Sequence, residues 1–261
     1  MINKKFVLWC ILIIGCSVAL SFICTVFVKA NDLNRGRKFY EEHGKAIWEI
    51  PTKQKVIALT FDDGPSSKYT PEILDILKQY HAKATFFVVG TCVKAHPDVV
   101  KREILDGHEL ANHTYHHSGF RGLNEEEIRN ELRKTKQTIT QLTGYSPKLF
   151  RPPGGYYNET IINVSNQEGY TVVIWSWHQN TYDWKKPGVH NIVKKVLSNA
   201  RNGDIVLFHD NGGDRRQTIE ALKKILPELQ KRGYKFVTVS ELLQMHPKYR
   251  YLDLSQYFGH Q

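Results

Sequence analysis

Short apolar stretches recur along most of the chain, and segments with helical periodicity separate them. The apolar stretches predict strands because they alternate or run continuously and end at turn residues. These strands are predicted at 55–61, 84–89, 108–111, 148–150, 171–175, 204–209 and 235–239. Strands that alternate with helices pair in parallel through right-handed crossovers. We therefore predict an α/β fold, a distorted or incomplete parallel β/α barrel of about seven units.

The intervening segments carry start and stop signals of helices. One helix begins at Thr70-Pro71, and its apolar residues fall on one stripe. A longer helix begins after Asn124, whose side chain is a favourable cap. The last long helix contains Pro227, which predicts a kink or a break at that point.

An uncharged segment of 23 residues, 6–28, precedes this pattern and is flanked by Lys4, Lys5 and Lys29. That length suffices to cross a bilayer as a helix, and lysines before it favour an N-terminus on the inside. We therefore predict that residues 1–30 are a retained anchor of a single-pass cell-membrane protein whose remainder is extracellular. Two alternatives stay open: secretion after cleavage near Ala30, and lipid attachment at Cys16.

The rest of the chain predicts one domain. A polar, charged stretch at 31–52 predicts a juxtamembrane stalk, residues 53–245 the catalytic domain, and residues 246–261 a C-terminal tail. Three of the four cysteines lie in the apolar N-terminal run, so Cys92 has no partner for an intrachain disulfide. We expect Cys92 to be a small buried apolar residue.

The chain is basic, with a net charge of +10, and three of its lysines belong to the N-terminal segment, which has no acids. The predicted extracellular part therefore carries +7. A basic surface outside a cell suits an anionic polymer such as a cell wall. The basic residues are dispersed along helices, which favours a solvated surface over a nucleic-acid site. We expect no nucleic-acid partner.

The first candidate site is a pair of carboxylates, Asp62 and Asp63, where a predicted strand ends at Gly64-Pro65. Successive strand residues point to opposite sides, so the two carboxylates can take different tasks. One can hold a cation while the other moves a proton. The alternative is an ordinary polar turn, in which aspartate is favoured by its local hydrogen bonds.

The second candidate is the histidine pair His113 and His117, which are four residues apart. On a helical turn this spacing places both imidazoles on one side. Two histidines and one carboxylate are a recurrent catalytic metal set that leaves positions open for water and substrate. His116 competes with His117 because a spacing of three is also allowed. We expect His108, within a strand, to be structural.

Three further candidates follow later strands. Arg151 precedes the rigid run Pro-Pro-Gly-Gly, Asp183 lies in an aromatic-rich segment at 175–184, and His209 ends a buried strand. All the candidates therefore lie at or just after the carboxyl end of a predicted strand. In a β/α barrel that face holds the active site, so we predict one site there.

Five motifs in order resemble the polysaccharide deacetylases, carbohydrate esterase family four. They are Thr-Phe-Asp-Asp-Gly-Pro at 60–65, His-Thr-x-x-His at 113–117, Arg-x-Pro-x-Gly at 151–155, Asp-Trp at 183–184 and Leu-x-His at 207–209. The resemblance covers about residues 53–243. It implies a distorted β/α barrel and a metal-dependent hydrolase that removes N-acetyl groups from a glycan polymer and releases acetate.

The resemblance also implies a role for each matching residue. It implies a metal site, normally for Zn²⁺ and with Co²⁺ or another divalent ion possible, at Asp63, His113 and His117. It implies the following catalytic set: Asp62 as general base, Arg151 as its partner, His209 as general acid and Asp183 as the carboxylate that orients it. It implies these substrate contacts: the Gly154 N–H for the oxyanion, and Trp184 and Leu207 around the acetyl methyl.

Two positions depart from the family pattern. Gly154 stands where a tyrosine is common, and Asn180 stands where an acid is common. The polymer stays open between peptidoglycan, with either of its two amino sugars, and chitin-like oligomers, although an anchored basic enzyme favours peptidoglycan. We expect a monomer.

Two other functions remain as alternatives. A non-catalytic cell-wall glycan-binding protein could use the same barrel, although the intact Asp62 and His209 argue against it. A zinc peptidase lacks support because Thr114 follows His113 where the peptidase motif has glutamate.

Overall fold

The structure is a computed structural model that describes residues 36–249. Its centre is a parallel sheet in which each of the seven predicted strands is present, within three residues at either end. The strands are β1 Ala46–Ile47, β2 Val56–Asp62, β3 Ala84–Val88, β4 Glu109–Asn112, β5 Leu149–Phe150, β6 Thr171–Val173, β7 Asp204–His209 and β8 Lys235–Phe236. The additional strand, β1, was not predicted.

Helices connect the strands and cover the outside of the sheet. They are α1 Arg37–Glu42, α2 Tyr69–Gln79, α3 Gly90–Ala95, α4 Pro97–Leu105, α5 Glu125–Thr143, α6 Glu159–Gln167, α7 Val189–Leu197, α8 Arg216–Lys231 and α9 Val239–Gln244. Helix α5 begins as predicted, with a capping box between Asn124 and Glu127. Helix α8 runs through Pro227 without a break.

The sheet has the order β1-β6-β5-β4-β3-β2-β7, with β8 also paired to β2, and every strand pair is parallel. Hydrogen bonds from segments without regular secondary structure join the two edges of the sheet. The Ile50 N–H donates to Gly203 O at 3.0 Å, and the Ser176 N–H donates to Ile205 O at 3.0 Å. The predicted parallel α/β architecture is confirmed, as a curled sheet that forms a distorted barrel.

The alternation along β2 shows how this barrel directs side chains. Ile57, Leu59 and Phe61 belong to the apolar cluster shared with the outer helices. The even-numbered Val56 and Ala58 belong to a second cluster, inside the barrel, with residues from the other strands and from α9. Because the strand period is two, the next even positions, 60 and 62, also face inward. The end of β2 therefore delivers a carboxylate to the carboxyl-end opening of the barrel.

The predicted stalk at 31–52 is wrong for its described part. Helix α1 packs on β1, β1 pairs with β6, and the side chain of Trp48 is fully buried. Strand β1 lies in a stretch that is mostly polar and charged, which is why the sequence analysis assigned it to the stalk. The folded domain therefore begins before residue 53.

The predicted tail also begins too early, because Tyr249 is buried in the interior cluster. Residues 250–261 and the predicted anchor at 1–30 lie outside the described part of the chain. Between residues 36 and 249, no helix combines the length and the apolar character needed to cross a membrane. Cys92 is half-buried, not fully buried as expected, and its Sγ accepts a hydrogen bond from Asn211 Nδ2 at 3.5 Å.

Candidate active site

A cavity of about 350 Å³ opens at the carboxyl ends of the strands. Eight of the ten residues predicted for the site line it: Asp62, Asp63, His113, His117, Gly154, Trp184, Leu207 and His209. The other two, Arg151 and Asp183, are buried behind it, in contact with residues that line it. The structure therefore brings all the predicted residues to one place.

Asp63, His113 and His117 form a group with the composition of a metal site. The Oδ1 atom of Asp63 lies 3.5 Å from His113 Nε2 and 3.1 Å from His117 Nε2. One ligand atom from each residue lies within 4.8 Å of the other two. His113 Nδ1 lies 2.7 Å from Arg151 O, to which it donates because a carbonyl can only accept. That bond fixes the ring and leaves Nε2 of His113 as the nitrogen that faces Asp63, so the group fits a divalent ion.

The two imidazoles lie together as predicted, but the backbone between them is not the predicted helical turn. Residues 113–117 form a loop instead of a helical turn, and the backbone of Thr114 and His117 has positive φ, at 71° and 56°. The His117 N–H donates to Thr114 Oγ1 at 3.0 Å, which holds this loop. The ring centroids of His113 and His117 are 5.0 Å apart. His116 points elsewhere, with Nδ1 2.7 Å from Glu131 Oε1, so it is not a ligand candidate.

The charged forms of Asp63 and His117 stabilise each other. Burial acts to raise the pKa of Asp63, but hydrogen bonds from His113 and His117 outweigh it and hold that pKa far below its ordinary value. The hydrogen bond to Asp63 raises the pKa of His117. Asp63 is therefore an ionised carboxylate, the form in which it binds a cation.

Asp62, the last residue of β2, is held in place by Arg151. Arg151 is fully buried, and its Nη1 donates to Asp62 Oδ1 at 2.6 Å and to Thr60 Oγ1 at 2.9 Å. Its other donors bind the carbonyls of Val173 and Ile174. Burial lowers the pKa of Arg151, while the charge of Asp62 opposes that effect. One oxygen of Asp62 is thus fixed, and the other, Oδ2, lies 3.8 Å from His113 Nε2.

His209 is oriented by Asp183, which is almost fully buried. The Nδ1 atom of His209 lies 2.7 Å from Asp183 Oδ1, and the His209 N–H donates to Oδ2 at 2.9 Å. Thr218 Oγ1 also donates to that oxygen, at 2.7 Å. Burial acts to lower the pKa of His209, but Asp183 outweighs it and raises that pKa. The pKa of Asp183 is lowered, because its bonds with His209 outweigh the opposing effect of burial. The pair therefore favours an imidazolium whose Nε2 is the nitrogen left for the cavity.

The sheet register places the two proton-transfer candidates together. Asp62 at the end of β2 is the register partner of His209 at the end of β7. Asp63, the next residue after β2, places the histidine pair beside them. A carboxylate, an imidazolium and a candidate metal group therefore share one opening. This arrangement can activate water and protonate a leaving group.

The wall of the cavity includes residues that the sequence analysis missed. Trp175, Gly212 and Arg215 line it as well. The aromatic-rich segment was a signal for Trp175, and the two glycines shortly after β7 were a signal for a close approach of the backbone. Nothing in the sequence distinguished Arg215 from the adjacent Arg216. Asn180, one of the two departures from the family pattern, also lines the cavity.

Comparisons with known proteins agree with this geometry. The family model for polysaccharide deacetylase matches residues 49–173. A peptidoglycan-N-acetylglucosamine deacetylase of Bacillus cereus is 50% identical over 208 residues, covering 80% of this chain and 97% of the relative. A crystal structure of the peptidoglycan N-acetylglucosamine deacetylase Bc1960 superposes with a TM-score of 0.76 at 38% identity, covering 78% of this chain and 95% of that one.

A solved structure of a different kind is also similar. The wild-type form of a carbohydrate esterase family four pseudoenzyme from Bacillus anthracis has a TM-score of 0.70 at 30% identity, covering 76% of this chain and 68% of that one. The fold alone therefore does not establish catalysis, which depends on the residues of the site.

Proposed function

The chain belongs to the polysaccharide deacetylase family, carbohydrate esterase family four, and from that premise we propose that it removes N-acetyl groups from the N-acetylglucosamine of peptidoglycan. Each turnover hydrolyses one amide bond, consumes one water and yields acetate and a free amine on the sugar. The observation that carries the proposal is the register pairing of Asp62 with His209, beside the group formed by Asp63, His113 and His117.

The group of Asp63, His113 and His117 would hold a divalent ion. We propose Zn²⁺, with Co²⁺ as a substitute, because two imidazoles and one carboxylate suit either ion and leave open positions. When bound, the ion supplies a Lewis acid that polarises the amide carbonyl and lowers the pKa of water. Arg151 O fixes the His113 ring through Nδ1, so Nε2 is the nitrogen directed at this group.

Asp62 is the general base. Arg151 fixes Oδ1, so Oδ2 is the oxygen that takes a proton from the attacking water. Because Arg151 binds carbonyls with its other donors, the guanidinium cannot follow the carboxylate into a new position. The base is therefore positioned before the substrate arrives.

His209 is the general acid. The leaving nitrogen of the amide must receive a proton as the bond to the acetyl carbon breaks. Asp183 raises the pKa of His209 and fixes the ring through Nδ1, so Nε2 donates that proton. The base and the acid thus begin the reaction in opposite protonation states, which the chemistry requires.

The remaining predicted contacts bind the acetyl group. Leu207 is buried and Trp184 is half-exposed in the wall of the cavity, where both suit a methyl group. Gly154 lines the same cavity with a left-handed backbone, φ 62°, and its N–H would face the developing oxyanion. A Cβ added at Gly154 would meet no atom within 4 Å, so space does not exclude the tyrosine that is common in the family, but the left-handed backbone would strain any side chain there.

The experiment is acetate release from N-acetylated chito-oligosaccharide and from purified peptidoglycan, with Zn²⁺ or Co²⁺ added. We expect release by the native protein and a loss of about 10²- to 10⁴-fold in Asp62→Ala, the range for a general base. Mass spectrometry of the glycan products identifies which sugar loses its acetyl group. Absence of release from every N-acetylated glycan would refute the enzyme and favour a glycan-binding protein.

The enzyme is favoured over the glycan-binding alternative by a specific observation. The base, the acid and their two orienting partners, Arg151 and Asp183, are all present and in hydrogen-bonding contact. A protein that only binds glycan would need none of these four. A peptidase has no such support, because Thr114 is buried and its N–H donates to Asn112 Oδ1, so no base occupies that position.

We also propose that the domain works as a monomer at the outer face of the cell membrane, anchored by residues 1–30. The uncharged run at 6–28 and its flanking lysines support the anchor. The test is fractionation of cells that express the full chain, with protease added outside. Recovery in the medium as a protein that begins near residue 31 would favour the cleaved alternative.

A further inference from the structure

The loop that follows β7 packs against the candidate metal ligand Asp63. Gly212 in this loop has φ 75°, and a Cβ added there would lie 2.8 Å from Asp63 Oδ2. The opposite oxygen, Oδ1, is the one that faces His113 and His117. The loop backbone therefore touches the side of the carboxylate that faces away from the imidazoles.

Arg215 holds this loop in place. Its Nε donates to Asn211 O at 2.6 Å and its Nη2 donates to Gly212 O at 2.9 Å. Arg215 is 3% exposed and forms no ion pair with a carboxylate in the part of the chain that the structure covers. Its neighbour Arg216, by contrast, is exposed and pairs with Asp214. The buried guanidinium of Arg215 is thus committed to two carbonyls of the loop.

The backbone of Asp63 also depends on the loop. Asp63 has φ 76°, a left-handed conformation that is uncommon outside glycine and persists only where the surroundings hold it. Asn211 Nδ2 lies 3.3 Å from Asp63 O and 3.4 Å from Pro65 O, and it donates to both. The loop therefore contacts Asp63 twice, at its carbonyl and at its carboxylate.

We propose that the loop 211–215 is a brace that sets the metal affinity of the site by fixing Asp63. Arg215 and Asn211 are positioning residues, and Gly212 is required because only glycine lets the backbone lie against Oδ2. The inference rests on the proposed function in that it takes Asp63, His113 and His117 as the ligands. It adds that their affinity is determined by residues outside the ligand set.

The test compares Gly212→Ala with Gly213→Ala in the full-length protein. Both glycines have positive φ, at 75° and 136°, so both variants carry backbone strain in the same loop. Only the new methyl at position 212 meets Asp63, because at position 213 the nearest atom is Arg215 Nη2 at 3.7 Å. The readouts are the dissociation constant for Co²⁺, from competition with a chromophoric chelator, and the visible spectrum of the bound Co²⁺.

We expect Gly212→Ala to weaken Co²⁺ binding about 10- to 100-fold and to change the spectrum, the range found when a partner of a metal ligand is disturbed. Gly213→Ala should stay within about threefold of the native protein with an unchanged spectrum. Equal affinities in the two variants would overturn the proposal. Thermal unfolding of the metal-free proteins shows whether each variant is folded.

A second pair keeps the test valid if Gly212→Ala does not fold. Arg215→Lys keeps the charge but removes the planar fork whose Nε and Nη2 bind the two carbonyls, while Arg216→Lys makes the same change at the exposed neighbour. We expect weaker Co²⁺ binding in Arg215→Lys alone, and equal binding in both variants would refute the brace. Failure of the native protein to release acetate, with these Co²⁺ differences present, would refute the proposed function and leave the brace intact.

Discussion

Two places in the barrel combine carboxylates with histidine, and they lie at opposite ends. Asp63, His113 and His117 surround the cavity at the carboxyl ends of the strands. Glu49, Asp204 and His178 lie at the other end, where β7 begins and the two ends of the sheet meet. In both groups, one ligand atom from each residue lies within 4.8 Å of the others. Residue type and distance therefore do not distinguish them.

The hydrogen bonds do distinguish them. We call the group of Glu49, His178 and Asp204 the seam. There, His178 Nε2 lies 2.9 Å from Asp204 Oδ1, and the second oxygen of Asp204 accepts from Gln179 Nε2 and from the Arg201 N–H. Glu49 Oε1 accepts from Arg37 at 2.7 Å. Asp204 thus has both oxygens engaged within the protein, and a cation already neutralises Glu49. This group joins the ends of the sheet.

At the cavity, the partners leave the ligand atoms available. His113 is held through Nδ1, so its Nε2 faces Asp63. A proton acceptor and a proton donor, Asp62 and His209, line the same space. Glu49 Oε2 also has no hydrogen-bond partner among the described residues, so one free oxygen does not make a reactive site. The comparison shows that such a site is recognised by ligand atoms that stay available beside a proton acceptor and a proton donor.

The largest expected difference between the two groups is the loss of acetate release when one histidine is removed from each. His113→Ala takes a ligand from the cavity and should reduce acetate release about 1000-fold or more, since the ion supplies several kcal/mol of the catalysis. His178→Ala should keep the activity of each folded molecule within about threefold. Acetate release and bound metal per chain are measured in both. Equal losses would show that the two groups do not differ as described.

A smaller difference is expected in the pH dependence of catalysis. Asp183 raises the pKa of His209, so His209 stays protonated to a higher pH and activity falls when the pH rises past that pKa. Asp183→Asn removes this charge, and the alkaline limb of the profile should move to lower pH. An alkaline limb that stays in place in Asp183→Asn would exclude His209 as the acid. Thr218→Val is the control, because it removes a neutral partner of Asp183 and should move the limb much less.

The smallest difference concerns stability at the seam. His178→Ala breaks the bond to the buried Asp204 and should lower the free energy of unfolding by about 1–3 kcal/mol. Urea denaturation with and without added Zn²⁺ measures it. Metal should stabilise the native protein and His178→Ala equally, because the ion binds at the other end of the barrel. If Zn²⁺ stabilises His178→Ala less than the native protein, the seam itself binds the ion.

The sequence revealed the parts of the molecule that depend on regular periods. Strand β2 showed the alternation that places Asp62 at the opening, and parallel pairing explains why every candidate met at one end. Strand β1 escaped detection because the residues around it are mostly polar and charged. The spacing of His113 and His117 predicts a helical turn, but the structure has a loop there, and nothing in the sequence indicates positive φ at Thr114 and His117.

Contacts between residues far apart in the sequence could not be predicted either. The seam of Glu49, His178 and Asp204 joins positions far apart in sequence that meet only when the sheet curls. Arg215 could not be separated from the exposed Arg216 by any local signal, although one is buried and the other is not. The motifs predicted the residues of the site. The contacts that hold those residues in place come from loops, and the sequence did not predict them.

The most direct test is anomalous diffraction from crystals of the protein grown with Zn²⁺, recorded on both sides of the zinc absorption edge. The account predicts one strong peak per chain, within bonding distance of Asp63, His113 and His117, and none at Glu49, His178 and Asp204. A peak at the seam, or no peak beside Asp63, would contradict it.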